Sequence, residues 1–291
     1  MRDTNGFIRN LGGAAFAILL LLSGGATWAA AGVSTQEGIV GLTYVASTNT
    51  LLKASHHALY ASGDEGMSWR QIAVPVPKDS QIVSLAASPT AKNGVMYVAG
   101  PGVGVLRSED AGKSWVDRNE GLPTHDVIAI AAHTTEPDTV YAIVQNSGVY
   151  RSQDGGKNWR LMDRPLKTGV HQLIHSNMAG SMQTGWLFAA TDKGVRRAMD
   201  CFCLWQDAGK LGTSARSIAY DPQRPEHILV AADQAIFRST DGGESWTEVK
   251  SPAAHIAALA FAPGSALFAT TAEGRLFRSV DAGQTWNQVN A

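Results

Sequence analysis

Five side chains able to bind charge or carry protons fall at matching places along this chain: His125, Asp126, His171, Arg216 and His255. Imidazoles change charge near neutral pH and ligate metals. A guanidinium grips carboxylates through two parallel bonds. Aligned by the internal repeat described below, all five lie near the entry of the first strand of their units, in a column shared with Gln81 and Ser214. That column is the candidate for a polar pocket that takes a ligand or a partner's side chain. A metal would need its ligands within about 2 Å of one point, which spacing alone does not establish. No metal and no cofactor is assigned.

Cys201 and Cys203 form the second constellation, next to Met199. In an extended strand, residues i and i+2 stand too far apart for a relaxed disulfide, whereas a tight turn brings their Cα atoms into the usual range of about 4.4–6.8 Å. A local disulfide is the leading expectation. Two unbridged thiols, or a soft-metal site assisted by Met199, stay open.

Carboxylates come third. Asp64, Asp110, Asp154, Asp241 and Asp281 each stand inside Ser-x-Asp-x-Gly-x-x-Trp, and Asp200 stands in a worn copy where Ala198 and Phe202 replace the Ser and the Gly. An Asp beside a tight turn accepts nearby backbone N–H groups, the Gly takes a positive φ without steric cost, and the Trp covers the turn. These six aspartates therefore read as structural.

The elements that must position these groups follow from the same signature. Successive aspartates are 46, 44, 46, 41 and 40 residues apart. Between them run short alternating apolar stretches, such as 127–132, 139–144 and 148–151, separated by turn residues. A period of this size built from strands means a β-propeller, here six-bladed and all-β, with four-stranded antiparallel blades. The units are 37–78, 79–123, 124–167, 168–212, 213–252 and 253–291. Each carries its own four strands, so the ring is expected to close by pairing or packing the first and last blades, which removes free edges. First strands line the central channel, and the His125 column should ring one of its mouths.

Residues 1–31 combine Arg2 and Arg9, an apolar run and a small-residue end around Ala29 and Ala31. This is the layout of a signal peptide, with an uncleaved anchor as the rival, and 32–36 reads as a short linker. Either way, residues 37–291 are expected outside the cytoplasm, periplasmic or extracellular, with membrane contact only through that first segment. The net charge of −1 lacks the basic excess that nucleic-acid binding needs.

The signature resembles the Asp-box, or bacterial neuraminidase repeat, of sialidases, sortilin-type receptors, some cellulose-degrading enzymes and photosystem II assembly-factor propellers. An apolar residue and an Arg precede several boxes, as at Leu106-Arg107, Tyr150-Arg151, Phe237-Arg238 and Phe277-Arg278, which looks most like the assembly-factor group. That resemblance implies a non-catalytic scaffold for a protein partner or a saccharide-like ligand. The alternative it implies is a sialidase-like glycoside hydrolase. Such an enzyme needs an arginine cluster, whose first member the family carries in an Arg-Ile-Pro motif, and paired carboxylates. No Arg-Ile-Pro occurs here, and the first arginine after the leader is Arg70.

Overall fold

In the computed structural model, residues 38–182, 184–201 and 204–289 are described. The leader and linker, residues 1–36, and Cys203 lie outside them. The described residues form six four-stranded antiparallel sheets, and within each the strand order follows the chain. The inner strands are Ile39–Val45, Ser84–Ala87, Val127–Ala132, Val170–Ser176, Ser217–Asp221 and Ile256–Ala262. Strand pattern and repeat period therefore produce the six-bladed propeller that the box spacing implies.

Alternation on the strands makes this architecture stable. A blade is apolar on both faces, and each face is buried against a neighbour. Between blades 3 and 4 the joint is made by Ala129, Ala131, Tyr141, Ile143, Leu173 and Leu187. Alanines are frequent on the inner strands of blades 2, 3 and 6, at Ala86, Ala129, Ala131, Ala258, Ala260 and Ala262, where the blades converge at the axis. Larger residues such as Phe188 and Phe268 fill the wider second-strand positions, fully buried.

Five boxes clamp their turns alike. The Ser hydroxyl accepts the N–H of the Gly four residues on at 2.7–2.9 Å, as in Gly66 to Ser62 and Gly283 to Ser279. It also donates to the Asp carboxylate. The Asp accepts the N–H and the side chain of the residue before the Trp: Ser68, Ser114, Asn158, Ser245 or Thr285. That position is thus a further member of the motif. The turn itself needs two successive positive φ angles, 59° and 94° at Glu65 and Gly66, for example, and a Cβ at Gly66 would run into Leu276 of blade 6. Fourth strands begin one residue after the Trp, at Arg70, Val116, Arg160, Gln206, Thr247 and Asn287. The Trp is instead spent on the preceding blade: Trp115, Trp159, Trp246 and Trp286 donate Nε1–H to the carbonyls of Ala73, Arg118, Ala208 and Lys250.

The arginines before the boxes tie blades together in the other direction. Arg107 of blade 2 reaches Asp138 at 2.9 Å and the carbonyl of Gly155 at 3.3 Å, both in blade 3. Arg197 of blade 4 reaches Glu244 and the carbonyl of Gly242 in blade 5. Arg278 of blade 6 reaches Glu65 of blade 1 at 3.1 Å, so the same device spans the closure. Closure is by packing: Leu42 and Leu51 of blade 1 meet Ala258, Ala260, Phe268 and Leu276 of blade 6. One main-chain bond, Ile39 N–H to Ala272 at 2.8 Å, joins them. Among the described residues no strand is exchanged between the two blades.

Candidate functional site

The inner strands enclose a channel whose two ends differ. Toward their C-terminal ends the channel widens to a cavity of about 300 Å³, walled by Leu42, Leu85, Ile130, Leu173, Ile218 and Leu259. Tyr44, Pro89, Tyr220, Pro222, Phe261 and Pro263 stand where the strands pass into their loops. Its polar lining comes from groups such as Thr43, Gln172 and Gln223, and no Asp, Glu, Lys or Arg belongs to it among the described residues. Burial raises the Tyr220 phenol well above its ordinary range, so Tyr220 stays neutral. Leu42, Leu85 and Gln172 form a waist shared with a second cavity of about 20 Å³ at the strand entries, room for one water. Gln172 is held there by Ser217 Oγ and Ile218 N–H, both donating to its Oε1 at 2.7 and 2.9 Å.

His171 and Arg216 line this narrow cavity, and His171 Nε2 lies 2.7 Å from Asp192 Oδ1. His125, Asp126 and His255 are exposed and stand outside its lining. The main chain of the first two is committed: the His125 carbonyl accepts Gly102 and Gly104 N–H, and that of Asp126 accepts Gln145 N–H. His255 has a left-handed backbone at φ 56°. Of the five rim candidates, the structure brings two to one cavity.

The worn box has a different use. Asp200 is 1% exposed and turns inward. Its Oδ2 accepts the N–H and the hydroxyl of Thr184, the former at 3.1 Å. His133 Nε2 and His175 Nε2 stand 3.8 and 3.7 Å from the same oxygen. Both rings are fully enclosed, stacked with centroids 3.9 Å apart, and flanked by Tyr141. Blade 3 contributes His133 and Tyr141, and blade 4 contributes Thr184, His175 and Asp200. Burial opposes the charge on Asp200, but His175 and Thr184 outweigh it and hold the carboxyl well below its usual range. Asp200 Oδ1 and His175 Nε2 have no hydrogen-bond partner among the described residues.

Two histidines and a carboxylate within 4.8 Å of one another are a plausible donor set for a divalent cation. The surroundings of the rings argue otherwise. A metal-bound histidine donates its second ring N–H to an acceptor. Here His133 Nδ1 accepts the N–H groups of Thr135 and Glu136 at 3.1 and 3.0 Å, and His175 Nδ1 faces Thr134 N–H at 3.3 Å. In neutral His133, Nδ1 therefore supplies the lone pair and Nε2 carries the proton, which it donates to Thr184 Oγ1 at 2.7 Å. Sequence reading passed over this trio because it followed the strand-entry column. Aligning the strand exits singles out His133 alone, whose place is taken by Ser88, Ser176 and Asp221 in blades 2, 4 and 5.

The class defined by this fold is an Asp-box propeller. Residues 237–248 match the BNR/Asp-box repeat, and 104–219 match the Sortilin-Vps10 family, described as sortilin, neurotensin receptor 3. No curated protein matches the sequence. Among solved structures, a GH74 xyloglucanase from Xanthomonas campestris is similar at TM-score 0.64 and 15% identity, over 87% of this chain and 45% of the enzyme. YCF48 bound to D1 peptide is similar at TM-score 0.58 and 18% identity, over 87% of this chain and 82% of that one. YCF48 from Cyanidioschyzon merolae is similar at TM-score 0.55 and 16% identity, over 88% and 87%. This chain spans about half the length of the GH74 enzymes it resembles, and at these identities the likeness concerns the fold.

Proposed function

We propose that this protein is a non-catalytic, extracytoplasmic binding scaffold that receives an uncharged, apolar peptide segment in the wide end of its channel. The observation that carries this reading is the lining of that cavity: a neutral wall with aromatic and proline residues at its mouth. An apolar concavity with a few polar groups is the usual form of a binding site. A glycoside hydrolase of the usual kind needs two carboxylates about 5–10 Å apart around the scissile bond, and among the described residues neither cavity has a carboxylate in its lining. Export through residues 1–31 is part of the same proposal. N-terminal sequencing of the mature protein tests it, with a start near Gly32 expected and a cytoplasmic product contradicting it.

Equilibrium binding of N-acetylated, C-amidated apolar peptides tests the site. Tyr220→Asp places a charge in the neutral wall and should weaken binding at least about tenfold, since burying an unpaired charge is costly. Tyr220 packs against the joint of blades 4 and 5, so binding is compared at temperatures where the melting curve shows the variant fully folded. Changes at His125, Asp126 and His255 probe the opposite end and should leave this binding unaltered. Hydrolysis of xyloglucan or sialosides that a single Asp or Glu substitution abolishes would overturn the scaffold reading.

A further inference from the structure

The strand-exit column performs one task in four blades. In blade 2, Ser88 Oγ accepts Ala91 N–H. In blade 4, Ser176 Oγ accepts Met178 N–H, and in blade 5, Asp221 Oδ1 accepts Gln223 N–H. Each side chain pins the loop that follows its inner strand. Blade 3 gives this task to His133, whose Nδ1 holds both Thr135 and Glu136 N–H. A serine hydroxyl accepts at every pH, and the Asp221 carboxylate is further secured by Arg224. An imidazole nitrogen ceases to be an acceptor once it binds a proton.

We propose that His133 is a proton-operated latch on the joint between blades 3 and 4, pinning the 133–136 loop when neutral and releasing it when Nδ1 is protonated. The added proton would point at two main-chain N–H groups, so those bonds must break. The imidazolium would also face the His175 ring at 3.9 Å. Burial and His175 oppose protonation, while the carboxylates of Glu136 and Asp200 favour it. Tyr141 lies against both rings, with Arg151 and Asp200 acting on it in opposite senses. The balance holds the His133 pKa well below its ordinary value, so the latch is shut at neutral pH and opens in acid. Ala131, packed in this joint, and His175, on its blade 4 side, also line the wide cavity. Opening would therefore disturb that wall, and release of a bound peptide in acid is the functional consequence. This last step rests on the binding reading, whereas the latch does not.

Amide hydrogen exchange on the whole protein tests it. After correction for intrinsic rates, protection at Thr135 and Glu136 should fall at least about tenfold between about pH 7.5 and about pH 3.5, a range that spans the His133 pKa, lowered to about 4. Ala91 and Met178, held by serines, should keep theirs. His133→Asn retains an acceptor oxygen but does not titrate, and should abolish the pH dependence. An unchanged wild-type pattern, an equal loss at the serine-held amides, or the same loss in His133→Asn would each overturn the latch. Should that variant not fold, ring-nitrogen shifts of His133 in the wild type decide: protonation at Nδ1 must track the loss of protection, and titration without it refutes the proposal. Absence of peptide binding at every pH would count against the binding reading alone.

Discussion

At the residue scale, one signature does its work through a serine as much as through its aspartate. Ser152 is 1% exposed, and its hydroxyl satisfies the buried Gly156 N–H. Ser152→Ala should cost about 1–3 kcal/mol, the penalty for an orphaned buried donor, read as a shift in the urea midpoint. An unchanged midpoint would show that the turn is held by its Asp and Trp without the Ser. Blade 4 already carries Ala at this place, and there the aspartate has left the turn for two histidines. The five intact boxes were legible from spacing because each is a local hydrogen-bond circuit written within eight residues. The cluster of His133, His175 and Asp200 was not, because its members come from two blades 67 residues apart in sequence at their extremes. Only the register of the strands brings them together.

Between elements, apolar packing carries the joints and charge adjusts them. At the closure, Leu276 is 3% exposed among residues of blades 6 and 1, whereas the Arg278–Glu65 pair is largely open to solvent. Leu276→Ala should cost about 2–4 kcal/mol, as for other buried leucines. Arg278→Ala should cost less than about 1 kcal/mol, as for exposed ion pairs. Equal losses in chemical denaturation would mean that the pair, and not the packing, shuts the ring. Sequence pattern left closure open between pairing and packing. The self-contained four-strand order of every blade decides for packing, because neither the first nor the last blade has a strand to spare. The turn after Met199 is a separate matter. Cys201 is described and Cys203 is not, so the bridge between them is a proposal. Non-reducing mass analysis should find the peptide covering 199–205 two hydrogens lighter than its reduced form, and readily labelled thiols would contradict it.

For the whole molecule, acid should act in two windows. Buried His133 has its pKa lowered, so the unfolded chain binds that proton first, and stability falls as pH drops below about 6.5. The box carboxylates respond later. Ser68 and then Ser62 hold Asp64 at about 2, Ser114 does the same for Asp110, Asn158 for Asp154 and Thr285 for Asp281. Their stabilisation is fully present above about pH 4, the unfolded carboxylate value, and is lost as pH approaches 2. Melting temperature against pH should therefore decline in two steps, with His133→Asn removing the first and leaving the second. A single step near pH 4 in the wild type would contradict this assignment. The channel shows the same division between pattern and placement. Repeat counting located its walls, since first strands line it, and placed a polar column at the strand entries. It did not reveal that this end narrows to about 20 Å³ while the opposite end opens to about 300 Å³. Those widths depend on how six inner strands converge, which no single repeat encodes.

Chemical-shift mapping with a capped, uncharged apolar peptide tests the central claim most directly. Bound peptide should perturb Tyr44, Ile130, Tyr220 and Phe261, the residues around the wide end of the channel. Perturbations gathered instead around His125, Asp126 and His255, or along the outer strands, would place the binding surface elsewhere and contradict the account.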